Sequence, residues 1–194
     1  MKFSNEFMLK LTYTAEKISV EEIKKTVDEL KRVKNLSGRL FILGVGGSSA
    51  NASHAVNDFR KLTNIQTYCP TDNVAEITAR TNDEGWNTAF KEWLKVHKLT
   101  ADDAILILSV GGGDRERNIS VNLIKAAEYA KKMHSRVLCI VGRHGGEVGK
   151  ISHVKIQIPM IYENLVTPIT ESLQSVILHL IVSHPELAEN KTTW

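Results

Sequence analysis

Arg39-Leu40-Phe41-Ile42-Leu43-Gly44-Val45-Gly46-Gly47-Ser48-Ser49 is a short apolar run that stops at glycines, the pattern of a strand buried on both faces and leaving into a tight turn. A helix follows over 49–61. Working outward, the pattern recurs. Residues 104–109 form a strongly apolar strand ending in Gly111-Gly112-Gly113, and residues 136–141 form another that stops at Gly142. Residues 65–69, closed by Pro70, and 154–158 supply two further strands. Helices are expected over 84–98, over 119–133, and from Thr167-Pro168, with threonine as cap and proline at the first position, to a stop at Pro185. Upstream, Ser19-Val20-Glu21-Glu22 is a capping box opening a helix whose apolar stripe is Val20, Ile23, Val27, Leu30 and Val33. Strands alternating with helices predict an α/β fold: three layers, doubly wound around a five-stranded parallel sheet. With no repeat or linker, 1–194 reads as one domain, a helical segment 1–37 preceding an α/β core 38–194.

Composition narrows the function. The formal charge of +3 is small for 194 residues. The densest basic tract, Lys24 to Lys34, alternates with Glu22, Asp28 and Glu29, which describes a solvated helix face and argues against a nucleic-acid partner. Cys69 and Cys139, each in or beside an apolar run, read as buried free thiols of a reducing compartment. The amino-terminal stretch lacks the apolar core and cleavage site of a signal peptide, and no run reaches the length of a membrane span; a cytoplasmic protein with no membrane partner is expected.

Three strands end in glycine-rich turns, which a doubly wound sheet places at its carboxyl edge, where ligands bind. Glycines let backbone approach an anion, and helix amino termini offer unpaired N–H groups. Ser48, Ser49 and Ser120 add hydroxyls suited to a phosphate. Any one such turn also serves simply to close a strand–helix corner. The first turn lacks the lysine of a P-loop and the third spaced glycine of a dinucleotide turn, so a nucleotide is disfavoured. In the helix that follows, His54 and Asp58 lie four apart on one face, the spacing of a metal-ligand pair; taken alone, a local surface hydrogen bond explains it more readily. The last helix carries Glu171, Gln174 and His179, and His179, among Val176, Ile177, Leu178, Leu180 and Ile181, reads from that segment alone as a hydrogen-bonded core histidine.

Gly44-Val45-Gly46-Gly47-Ser48-Ser49-Ala50-Asn51-Ala52-Ser53-His54 resembles the G-N-G-G-S-x-x-D-A-x-H segment of the sugar isomerase (SIS) domain in the phosphoheptose isomerase family. The likeness continues in order from about residue 20 to 184, through Asn82-Asp83-Glu84-Gly85-Trp86, Gly142-Arg143-His144-Gly145-Gly146 and the histidine of the last helix. It implies a flavodoxin-like SIS fold. It also implies interconversion of sedoheptulose 7-phosphate and D-glycero-D-manno-heptose 7-phosphate by proton transfer between C1 and C2 through an enediol. The resemblance further implies a divalent metal, zinc in several members, held by His54, Asp58, Glu171 and His179, with Asp58 and His179 moving protons. Ser48, Ser49, Asn51, Asp72, Asn82, Asp83, Ser109, Gly111, Gly112, Gly113, Ser120 and Glu171 fall at substrate-binding positions, in a homotetramer with sites at subunit interfaces.

The chain departs from the family pattern at several of these places. Asp58 stands for a glutamate, Glu171 for a glutamine, Val45 for an asparagine and Pro168 for an aspartate. The S-T-S-G-N-S phosphate loop is here Ser109 to Ser120, with Val110 and Gly111 at hydroxyl positions and about six residues inserted. Arg115 and Arg117 in the insert read either as replacement phosphate donors or as surface partners of Asp114 and Glu116. A non-catalytic SIS module that binds a sugar phosphate or a protein partner is the alternative reading.

Overall fold

The computed structural model describes residues 1–191. Five parallel strands, β1 (Arg39–Leu43), β2 (Gln66–Tyr68), β3 (Ala104–Ser109), β4 (Arg136–Val141) and β5 (Val154–Gln157), pair in the order β2-β1-β3-β4-β5. The expected doubly wound sheet is thus observed, with its reversal of winding between β1 and β3.

Period-two alternation along the strands divides the core into two layers. Leu40 and Ile42, Leu106 and Leu108, and Leu138 and Ile140 face one side; Phe41 and Leu43, Ile105 and Ile107, and Val137 and Val141 face the other. The first side is covered by α2 (Val20–Asn35), α3 (Gly47–Thr63) and α8 (Val166–Val182), and the second by α5 (Trp86–Val96), α6 (Val121–Lys132) and α7 (Gly146–Ile151). Each fully buried Leu, Ile or Phe stabilises the fold by about 1.5–3 kcal/mol. Cys69 and Cys139 are buried free thiols, as expected, and burial pushes the Cys139 thiol up to about 11.

Within the helical segment expected over 1–37, residues 2–15 form a helix of their own, α1 (Lys2–Ala15), because Phe7, Leu11 and Ala15 recur at helical spacing and pack on the first layer. Three local expectations are revised. The helix expected over 84–98 is α5, while residues 74–84, for which no helix is expected, form a further one, α4 (Val74–Glu84), separated from α5 by Gly85 at φ 81°. Thr167 and Pro168 lie inside the first turn of α8 rather than at its cap, which is Leu165. Residues 163–182 are, by length and composition, long and apolar enough to cross a membrane. Half of the most apolar window of that stretch (50%) is buried within the fold, with Ile169, Leu173, Ile177 and Ile181 in the core.

Candidate active site at the carboxyl edge of the sheet

Helices α3 and α8 pack side by side, and their contacts fix the first half of the site. Ser48 Oγ donates to the buried Gln174 Oε1 at 2.9 Å, and Asn51 Nδ2 donates to the Glu171 carbonyl at 2.8 Å. Further along, His54, Asp58 and His179 converge. The two imidazole Nε2 atoms lie 3.1 Å apart, and Asp58 Oδ2 stands 3.2 Å from His54 Nε2 and 3.6 Å from His179 Nε2. Asp58 is buried (3% exposed) while both histidines are exposed, so a deep carboxylate presents two imidazoles to the surface. Three ligand atoms within 4.8 Å of one another form a group able to hold a metal ion. The His54–Asp58 spacing and the isolated polar His179 therefore meet. His179 is not a core histidine: it lies on the exposed side of α8, between exposed Val176 and Leu180.

Glu171, the fourth expected ligand, stands outside this group. It lies two turns before His179, and its carboxylate is pressed against Gly47, where a Cβ would come within 2.3 Å of Oε2. The atoms that a Cβ at 47 would meet all belong to the far end of this flexible side chain.

The second half is a cleft of about 630 Å³ over the ends of β1, β3 and β4, lined by Ser48, Ser109, Gly111, Gly113, Arg117, Ser120 and Arg143 among others. Its floor is the expected nest. Gly112 N–H donates to Ser109 Oγ at 3.0 Å, whereas the N–H groups of Gly111 and Gly113 find no acceptor among the described residues. Gly112 has φ 71°, and a Cβ there would lie 1.8 Å from the Gly145 carbonyl oxygen, so the turns after β3 and β4 interlock only through glycine. Ser120, also left-handed, precedes α6 with its hydroxyl unbonded among the described residues. Such a surface of free N–H and O–H groups at a helix amino terminus suits an anion.

The other expected positions are placed as follows. Ser48 lines the cleft but its hydroxyl bonds Gln174, and Ser49 Oγ donates to the Gly46 carbonyl at 2.7 Å, closing its own turn. Asp72 lies in a short 3₁₀ turn after β2 and is exposed. Asn82 and Asp83 bond each other at 2.8 Å on the exposed last turn of α4. The inserted residues form a small hairpin, Asp114 and Ile119 exchanging backbone hydrogen bonds of 2.9 and 2.8 Å. Arg115 turns away to Glu128 at 2.7 Å, and Arg117, weakly paired with Asp114 at 3.6 Å, lines the cleft. Arg143, His144 and Thr167 also line the cleft, although sequence reasoning assigns them no role. The available signal was position: a cation in the turn at the carboxyl end of a strand.

No family model matches the chain. It is 36% identical over 158 residues, 76% of its length, to the lincomycin biosynthesis protein LmbN of Streptomyces lincolnensis, and spans 56% of that protein. To the probable phosphoheptose isomerase of Thermoplasma volcanium it is 27% identical over 171 residues, covering 86% of this chain and 82% of the relative. Among solved structures, phosphoheptose isomerase GmhA from Neisseria gonorrhoeae superposes with a TM-score of 0.80 at 21% identity, over 93% of this chain and 95% of that one, which shows the shared fold. With the strand order, the ordered motifs and these relatives all agreeing, the chain has the fold of the phosphoheptose isomerases and is similar in sequence to members of that family over most of its length.

Proposed function

We propose that the protein is an aldose–ketose isomerase of the phosphoheptose type, converting sedoheptulose 7-phosphate to D-glycero-D-manno-heptose 7-phosphate in the cytoplasm. The observation that carries this reading is the convergence of His54, Asp58 and His179 from two helices. Ser48 borders the cleft and His54 follows it by six residues, ~9 Å along α3. An extended sugar phosphate reaching from the nest toward the imidazoles suits that layout.

The reaction moves one proton from C1 of the ketose to C2 of the aldose and redistributes the hydroxyl protons through an enediol. His179, exposed at the surface of the group, suits the exchange with carbon, and the Asp58 carboxylate beside both rings stabilises the imidazolium that forms. The donor set also fits a divalent ion: separations of 3.1, 3.2 and 3.6 Å compare with ~3.3–3.4 Å between neighbouring ligands of tetrahedral zinc. His54, Asp58 and His179 would hold it, and it would polarise the substrate carbonyl. In one chain His54 and His179 are open to solvent beside exposed Val176 and Leu180. An apolar face next to the reacting groups supports a homo-oligomer, a tetramer on the family pattern, in which a second copy closes the site.

Incubation with sedoheptulose 7-phosphate, together with elemental analysis of the purified protein, tests the reading. Aldose formation with metal in stoichiometric amount supports it. Binding without conversion assigns the chain to the non-catalytic alternative. The inserted hairpin and the apolar Val45 and Val110 on the cleft wall favour a second reading, the same chemistry on a different phosphosugar. Conversion of another sugar phosphate, with sedoheptulose 7-phosphate left untouched, would select it.

A further inference from the structure

We infer that Arg143 is the principal cation that holds the substrate's phosphate, with Arg117 joining it from the inserted hairpin; this rests on the sugar-phosphate reading above. The cleft offers a phosphate two free glycine N–H groups and the Ser120 hydroxyl, all neutral. The Ser109 hydroxyl is engaged by Gly112. A desolvated dianion on neutral donors alone is poorly held; guanidinium supplies both the charge and a paired donor geometry.

Among the arginines, Arg143 stands apart. Each of the others is engaged: Arg32 and Arg136 with Glu29, Arg39 with Asp103, Arg60 with the Thr67 carbonyl, Arg80 with Glu76, Arg115 with Glu128 and Arg117 with Asp114. The Arg143 guanidinium has no hydrogen-bond, ion-pair or ring partner among the described residues. Its backbone is nevertheless fixed. Its carbonyl accepts from Gln157 Nε2 at 2.8 Å, and it sits at φ 46°, a conformation that costs a non-glycine residue energy. The side chain then lies over the nest, Cδ falling 4.0 Å from where a Cβ on Gly111 would be. A strained backbone that leaves a cation unpaired above an anion nest has no evident structural purpose. A ligand accounts for it.

Arg143→Gly is the direct test, because glycine adopts φ 46° freely and the fold is retained. Calorimetric titration with inorganic phosphate, and KM for the phosphosugar, are expected to weaken about tenfold or more, with kcat changed by no more than about twofold. The thermal midpoint should hold or rise, and Arg143→Lys should recover part of the affinity. Arg117→Ala should give a smaller loss in the same direction, and Arg115→Ala none. Binding of unphosphorylated sedoheptulose should not change. If Arg143→Gly binds phosphate and phosphosugar as the unaltered protein does, the inference falls while the isomerase reading stands. If the unaltered protein neither binds phosphate nor converts the sugar, both fall together.

Discussion

The two edges of the sheet carry polar residues of similar kinds and use them in opposite ways. At the amino edge, Arg39 donates to both oxygens of Asp103 at 3.1 and 2.7 Å and to the carbonyls of His97 and Lys98, and the same carboxylate accepts from the Thr100 and Arg39 N–H groups. Ser135 donates to the Asp103 carbonyl, and His153 Nδ1 accepts the Val137 N–H at 2.9 Å. Every one of these groups serves to order the strand starts. At the carboxyl edge the Ser120 hydroxyl and Arg143 guanidinium bond nothing among the described residues, and further along the helices that start there two imidazoles and a carboxylate face one another across 3.1–3.6 Å. The difference teaches where to look for chemistry in a chain whose other arginines are all engaged: buried structural polar groups are satisfied, and sites keep binding capacity in reserve.

The contrast is broken most severely at His179. His179→Ala is expected to lower turnover by about 10³-fold, within the range of lost acid–base catalysis, while leaving the thermal midpoint nearly unchanged, since the ring is exposed. Chemical denaturation alongside the assay checks both halves; a large loss of stability would make His179 structural.

Asp103→Asn should do the reverse, costing about 2–4 kcal/mol of stability with the chemistry of the folded enzyme intact, because it strands a half-buried guanidinium. Burial works to raise the Asp103 carboxyl, but the Arg39 guanidinium and the N–H groups of Thr100 and Arg39 outweigh it and hold the carboxyl below its usual value. The resulting stability is complete above the ordinary carboxylate range and is lost as pH falls through the lowered value, so the variant's stability should flatten in that acidic window. His153 is held below its ordinary value by burial, and by the charges of Arg136 and Lys131. Its neutral form is the folded one, so acidification below about pH 6.5 removes stability there as well. Urea titrations between pH 3 and 7 check both directions.

A gentler change sharpens the contrast. Leu180→Asp, on the exposed face beside His179, should dissociate the proposed homo-oligomer and weaken activity without unfolding the chain. Light scattering gives the mass; an unchanged oligomer would place the interface elsewhere.

Much of this is legible in the sequence, and for physical reasons. β3 and β4 are bounded to the residue because strands buried on both faces are continuous apolar runs ended by glycine. α4 is not legible as a helix, because none of its residues is buried in the core and no apolar stripe marks its period. The bounds of α1 inside the expected helical segment 1–37 are not legible, because its stripe of Phe7, Leu11 and Ala15 is narrow and sits among exposed Phe3, Met8 and Leu9, which blur its period. In the site, His54 and Asp58 are visible as a helical pair. That His179 lies across from them depends on how α3 and α8 pack, fixed by the Ser48–Gln174 and Asn51–Glu171 carbonyl bonds, which no local pattern encodes. Glu171 is expected in the metal group by position, and the structure turns it to Gly47 instead.

Conversion of sedoheptulose 7-phosphate in deuterium oxide, followed by proton NMR, tests the central claim most directly. Proton transfer at His54, Asp58 and His179 predicts a heptose 7-phosphate product carrying solvent deuterium at C2, and its disappearance in the folded His179→Ala protein. Product and label persisting at the same rate in that variant would place the chemistry elsewhere and contradict the account.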